Sequence, residues 1–170
     1  VTHNGGRWLP QVLASFAANA EGEPIPADLV ARMRTADAFG RALEVRRQLG
    51  HATVSYRLHV DRPGDLQEAT ERYYRKTSPV QPLPGLHPFA GFGHLTGYGA
   101  CYYTYQWSLV IARDLLSAFG GDLMDAEVAE RYRDRVLVPG GSRDARDLVE
   151  AFLGRPYAFD AYAAWLGEAG

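Results

Sequence analysis

Apolar residues recur at helical spacing along nearly the whole chain, and no segment makes a convincing sheet. Pro10 sits where a helix can begin, and Val12, Leu13, Phe16 and Ala17 follow on one side of it. Glu21 to Pro26, with Gly22 and two prolines, breaks this pattern. Ala27 to Arg34 reads as a short helix. Thr35 or Asp37 is placed to cap a longer one, in which Phe39, Leu43, Val45, Leu49, Val54, Leu58 and Val60 keep a period near 3.6. Arg62-Pro63-Gly64 ends it, and Asp65 can cap a helix through Tyr74.

Ser78 to Gly93 holds Pro79, Pro82, Pro84 and Pro88 with Gly85, Gly91 and Gly93, a density no regular element survives. A loop this long inside a compact domain tends to carry function or lack order. The most apolar stretch follows, Gly99 to Phe119, with apolar groups on every side; this predicts a central buried helix, stopped by Gly120-Gly121. Strand is the competing reading for Tyr102 to Ile111, whose aromatic and β-branched content suits it; the total length and Ala112 to Ala118 favour helix. Asp125 can cap a helix through Arg135, Ser142 one over Arg143 to Leu153, and Phe159 to Leu166 forms the last. The expected fold is an all-α helical bundle, one domain or fragment over 1–170, with a Pro/Gly-rich loop before the central helix.

Composition narrows the function. The 170 residues are 46% hydrophobic and 22% charged, suited to one compact domain or a large piece of one. A formal net charge of -2 gives no reason to expect nucleic acid or an anionic membrane as partner. No apolar run is long enough for a membrane span, and Val1 to Trp8 does not look like a signal peptide. Cys101 is the single cysteine, which excludes an intrachain disulfide and favours a reducing, cytoplasmic setting.

The chain offers His3, His51, His59, His87 and His94 but no His-Glu-x-x-His pair, and one cysteine excludes a thiolate zinc site. No metal is expected to bind this chain alone. His51 and His59 read as surface or partly buried helix residues. Cys101 lies seven residues from His94, yet its apolar surroundings suit an inert packed thiol better than a nucleophile. No nucleophile elbow or phosphate loop is present. What remains is the segment Phe92 to Trp107, in which a glycine-rich stretch carries His94 and then enters a tyrosine-rich helix. Histidine and tyrosine donors can stabilise a developing oxyanion. Tyr98, Tyr102 and Tyr105 line one face if the helix starts by Tyr98, with Tyr103 turned away. The same tyrosines could instead pack a core and bond buried carbonyls, and the residues alone leave both readings open.

Three strings in this order resemble the C-terminal region of the M3 family of zinc metallopeptidases: Gly93-His94-Leu95 through Tyr98 to Tyr102-Tyr103-Thr104-Tyr105-Gln106-Trp107, then Val136 to Ser142, then Phe152-Leu153-Gly154-Arg155-Pro156. The resemblance covers 9–170, with 1–8 an atypical start. It implies a mostly helical fold with a deep channel between two lobes, and hydrolysis of short peptides. It implies a zinc ion in the complete enzyme, bound by a motif upstream of this chain, with a ligand glutamate falling just before Val1. His94 then looks like the histidine of a flexible substrate loop, 78–97, and Tyr105 like the tyrosine that bonds the tetrahedral oxyanion. Tyr98 and, more weakly, Tyr102 look like substrate-positioning residues, and Gly93, Gly97 and Gly99 would give the loop its mobility. On this reading the chain alone is inactive, and it partners short peptides and the missing upstream part. A piece of a larger domain should also expose apolar surface and self-associate. The rival from another class is a non-catalytic α-helical module that binds peptide or protein; a third reading is a split enzyme whose zinc helix lies on another polypeptide.

Overall fold

The structure, a computed structural model, describes residues 9–80 and 82–168. The stretch 1–8, read above as atypical, lies outside them. Among the described residues the fold is all-α, as expected, with one isolated bridge between Ala18 and Pro24 and no strand. The described residues form two compact units, one within 40–108 and one within 9–39 and 109–168.

In the unit of residues 40–108, α3 (Arg41–Asp61) packs on α4 (Leu66–Thr77). Val54, Ala69, Tyr73 and Tyr74 form the shared core, with Leu58 and Phe92 against it. Full burial of a valine such as Val54 contributes about 1.5–3 kcal/mol. Gly50 sits mid-helix because Tyr74 needs the space: a Cβ there would come 3.1 Å from the tyrosine ring. Arg46 donates to the Thr77 carbonyl at 2.7 Å and satisfies one of the last carbonyls of α4. The Asp65 carboxylate caps α4 by accepting from Glu68 N–H at 2.9 Å. α3 ends in a left-handed Arg62, which Pro63 keeps from continuing the helix.

The start of α3 differs from the expectation. α2 (Ala27–Ala38) runs through both Thr35 and Asp37, so neither caps α3. Thr35 instead turns its hydroxyl back to the Ala31 carbonyl at 3.2 Å, and the left-handed Gly40 restarts the chain.

In the other unit, α1 (Pro10–Ala14) is shorter than the periodicity suggested, leaving Phe16 and Ala17 outside it. The end of the loop-following helix enters this unit. There Leu109 and Val110 pack with Tyr162, and Tyr157, Trp165 and Leu166 lie against them. α7 (Ala126–Tyr132), α8 (Ala145–Leu153) and α9 (Asp160–Gly167) complete it. α7 is capped by Asp125 as expected, and passes into a wider turn over Arg133–Leu137. α8 is capped by Asp144, not Ser142. Ser142 closes a short turn with Gly140 and Gly141, and Arg143 is extended, so the helix can begin only beyond it. Gly154, left-handed at the end of α8, aims Arg155 back at Asp114, which is 2% exposed.

Candidate active site

The loop from Ser78 ends in a single helical turn, α5 (His94–Gly97). Part of the loop is tied down: Gln67 of α4 donates to the Leu86 carbonyl at 2.9 Å and accepts from His87 Nδ1 at 2.7 Å. After α5 the backbone turns at Gly99, whose positive φ of 56° a β-carbon would strain. Ser55 Oγ donates to the Gly99 carbonyl at 2.8 Å and holds that turn. Gly93 and Gly97 have open space around them and no such requirement. A tight turn at Cys101–Tyr103 then leads into α6 (Thr104–Ser117), opened by Thr104 Oγ1 on the Cys101 carbonyl at 2.7 Å.

This path gathers the predicted residues by a route other than one continuous helix. His94 is the hub. Its Nε2 shares a hydrogen bond of 3.1 Å with the Tyr105 hydroxyl. Its ring centre lies 4.9 Å from that of Tyr102, 5.4 Å from Tyr98 and 5.8 Å from Tyr105. Tyr102 and Tyr105 are 5.0 Å apart, and Phe92 lies 5.5 Å from His94 on another side. Tyr98 is 71% exposed and Tyr105 53%, so the polar edge of the cluster meets water. Two hydrogen-bonding groups bonded to each other at 3.1 Å can both reach one carbonyl oxygen only when that oxygen displaces their mutual bond.

Two expectations are corrected here. The helix predicted as buried all round is buried along one side in this chain: Leu109, Val110 and Asp114 are covered, while Tyr105 and Trp107 stay half-exposed. Their hydroxyl and indole N–H make an aqueous edge tolerable where Leu109 and Val110 would not be. Cys101 is exposed, not packed, because it sits in the turn before α6, outside the apolar core.

No local pattern in the sequence signals that α3 supports this cluster. Tyr102 donates its hydroxyl proton to Gln48 Oε1 at 3.0 Å. Gln48 donates in turn to Glu44 at 2.9 Å, and Arg47 grips the same carboxylate at 2.8 and 2.9 Å. These Arg47 bonds hold the Glu44 carboxyl below its ordinary pKa. His51 Nδ1 shares a 2.7 Å hydrogen bond with the Tyr74 hydroxyl, and its ring meets both Phe92 and Tyr102. Burial, aided by the Arg47 charge, pushes the His51 pKa down; burial first, with Tyr102 adding to it, carries the Tyr74 phenol up to about 12, and burial first, with Tyr105 adding to it, raises Tyr102. His59 donates Nδ1–H to the Ser55 carbonyl at 2.7 Å. The near-helical spacing of 44, 48, 51, 55 and 59 was visible in the sequence, but polar residues at that spacing also describe an ordinary solvated face.

Among the described residues no three His, Cys, Asp or Glu side chains gather closely enough to hold a metal ion. The histidines nearest the cluster are engaged with Tyr74, Tyr105 and the Ser55 carbonyl. Nor is any described helix long and apolar enough to cross a membrane.

An all-α chain with a histidine–tyrosine cluster at the end of a Pro/Gly-rich loop fits a peptidase segment, and comparison with known proteins agrees. Residues 7–168 match the model of peptidase family M3. Oligopeptidase A of Escherichia coli is 34% identical over 172 residues, covering 96% of this chain and 25% of that protein. The probable cytosolic oligopeptidase A of Arabidopsis thaliana is 32% identical over 145 residues, covering 79% of this chain and 21% of that protein. Dipeptidyl carboxypeptidase of Salmonella typhimurium is 29% identical over 169 residues, covering 93% of this chain and 25% of that protein. The chain belongs to peptidase family M3, a family of zinc metallopeptidases. It spans about a quarter of the length of these relatives.

Proposed function

We propose that this chain supplies the substrate-facing histidine and tyrosine groups of an M3 oligopeptidase that hydrolyses short peptides. The observation that carries this reading is the 3.1 Å approach of His94 Nε2 and the Tyr105 hydroxyl at an exposed edge. When a peptide carbonyl displaces the bond between them, His94 Nε2–H and the Tyr105 hydroxyl both donate to its oxygen as it gains negative charge. Such preorganised donors act on the transition state more than on the bound substrate, and each is worth about 2.7–4 kcal/mol in comparable sites. Tyr98 and Tyr102 orient the peptide, and the 78–97 segment, with Gly93 and Gly97, moves to admit it about a Gly99 turn held by Ser55. Zinc belongs to the complete enzyme and is held by residues other than those described. A cytoplasmic setting suits the single cysteine and the probable cytosolic relative. Exposed Phe16 and Phe39 would favour self-association or covering by the rest of the peptidase.

The test uses the purified chain with a quenched fluorescent peptide, zinc, and a chelator control, together with NMR of the histidine and tyrosine rings. The expected result is no chelator-sensitive cleavage, with peptide addition shifting His94 and Tyr105. Chelator-sensitive cleavage would place a metal site on this chain and overturn the assignment of zinc elsewhere. A peptide that binds and leaves both rings unmoved would overturn their substrate role and favour a binding module.

A further inference from the structure

Glu44, Gln48, His51, Ser55 and His59 follow one another at steps of four, three, four and four residues, so α3 presents them as one polar stripe. Members of this stripe hold the segment that carries His94. Ser55 fixes the backbone at Gly99, and Gln48 fixes the hydroxyl of Tyr102 across 54 residues of sequence.

We propose that Gln48, oriented by Glu44, is a positioning residue for the His94–Tyr105 pair and acts on it through Tyr102. The proposal rests on the substrate role assigned above to that pair. The orientation of the Gln48 amide follows from its partners. Glu44 is ionised and can only accept, so the Gln48 NH2 must face it, at 2.9 Å. That leaves the Gln48 oxygen toward Tyr102, at 3.0 Å. Glu44 is itself held by Arg47 through two bonds of 2.8 and 2.9 Å, so the acceptor that orients the amide stays in place, and the amide cannot swing without breaking its own bonds to Glu44 and Tyr102. Tyr102 is thus pinned at its hydroxyl while its ring is wedged against His94 at 4.9 Å and Tyr105 at 5.0 Å. Loss of the pin lets that ring rotate and loosens the geometry of the two donors beyond it. Donors displaced by a fraction of an ångström lose much of their effect on a reacting carbonyl.

The experiment compares the full chain with Gln48→Met, Tyr102→Phe and the double variant. Gln48→Met keeps length and volume but removes the acceptor. Near-UV circular dichroism identifies folded variants, and NMR of the His94 imidazole reports the geometry without any peptide. Each single variant is expected to shift or broaden the His94 signals and weaken binding of a short peptide about fivefold, the worth of one net hydrogen bond. The double variant should be no worse than Tyr102→Phe alone, because both changes break the same bond. Unmoved His94 signals in a folded single variant would overturn the proposal, as would effects that simply add. Tyr102→Phe removes a single oxygen, so it decides the matter if Gln48→Met does not fold. If the parent chain binds no peptide, the substrate role falls, while the His94 signals still report on Gln48.

Discussion

Asp114 and Arg155 meet through two hydrogen bonds of 2.7 Å, and the same carboxylate accepts the Ala158 N–H at 2.7 Å. The Gly-Arg-Pro string after α8 therefore acts as a clasp onto the last turn of α6. Asp114→Ala should destabilise the chain by about 3 kcal/mol, the low end for a broken buried pair because Arg155 stays half in water. Urea denaturation at neutral pH measures it. The Arg155 bonds hold the Asp114 carboxyl below the ordinary aspartate range, against the opposing effect of burial. This stabilisation is complete above about pH 3.9 and is lost as pH falls through the depressed folded value. Asp114→Asn should flatten that acid limb.

His51 titrates in the opposite chemical sense with the same sign. Its pKa in the folded chain lies below the ordinary histidine value, through burial first and then the Arg47 charge; Glu44 opposes the shift and His94 adds to it. The unfolded chain therefore takes up the proton first, and stability falls as pH drops below about 6.5. In His51→Phe the slope of unfolding free energy between pH 7 and pH 5 should be smaller. The variant will be less stable at pH 7, because the Tyr74 hydroxyl loses its partner. An unchanged slope would refute the assignment.

The Thr70 hydroxyl is fully buried and has no hydrogen-bond partner among the described residues. Removing an unsatisfied polar atom while keeping the shape relieves its desolvation cost. Thr70→Val should raise the melting temperature, by an amount equivalent to about 1 kcal/mol. A lower melting temperature would mean that the hydroxyl has a partner in solution.

In the complete peptidase, Tyr105→Phe should lower kcat about a hundredfold or more, with a much smaller change in KM. The same substitution should leave the urea midpoint almost unchanged, since Tyr105 is exposed. A variant with full kcat would remove Tyr105 from the oxyanion role.

How legible each feature was in the sequence follows from how local its cause is. Asp65 and Asp125 announced their helices because a cap acts over three residues. Ser142 misled because it is an equally good capping residue, and only the extended Arg143 decides for Asp144. Thr35 misled in the same way, since its hydroxyl can bond backward inside a helix as readily as it caps one. His94, Tyr98, Tyr102 and Tyr105 were found together because they lie within twelve residues and carry the family resemblance. Gln48 and His51 were not, because their partners Tyr102 and Tyr74 are 54 and 23 residues away and no local period encodes the pairing. The Asp114–Arg155 clasp spans 41 residues and escaped for the same reason. Its one sequence trace was a carboxylate inside the most apolar run of the chain.

A phenol has a single proton to donate, and Tyr102 already points its own at Gln48 Oε1, leaving only lone pairs on the Tyr102 oxygen for any visitor. A peptide reaching the cluster would therefore meet two kinds of tyrosine. At Tyr105 it would find a hydroxyl whose proton is free for a carbonyl when His94 Nε2–H is the donor in their shared bond. At Tyr102 it would find one able only to receive an amide N–H. Complementary polarity of this kind would distinguish the two ends of a peptide bond, and with them the direction of any peptide lying across the cluster.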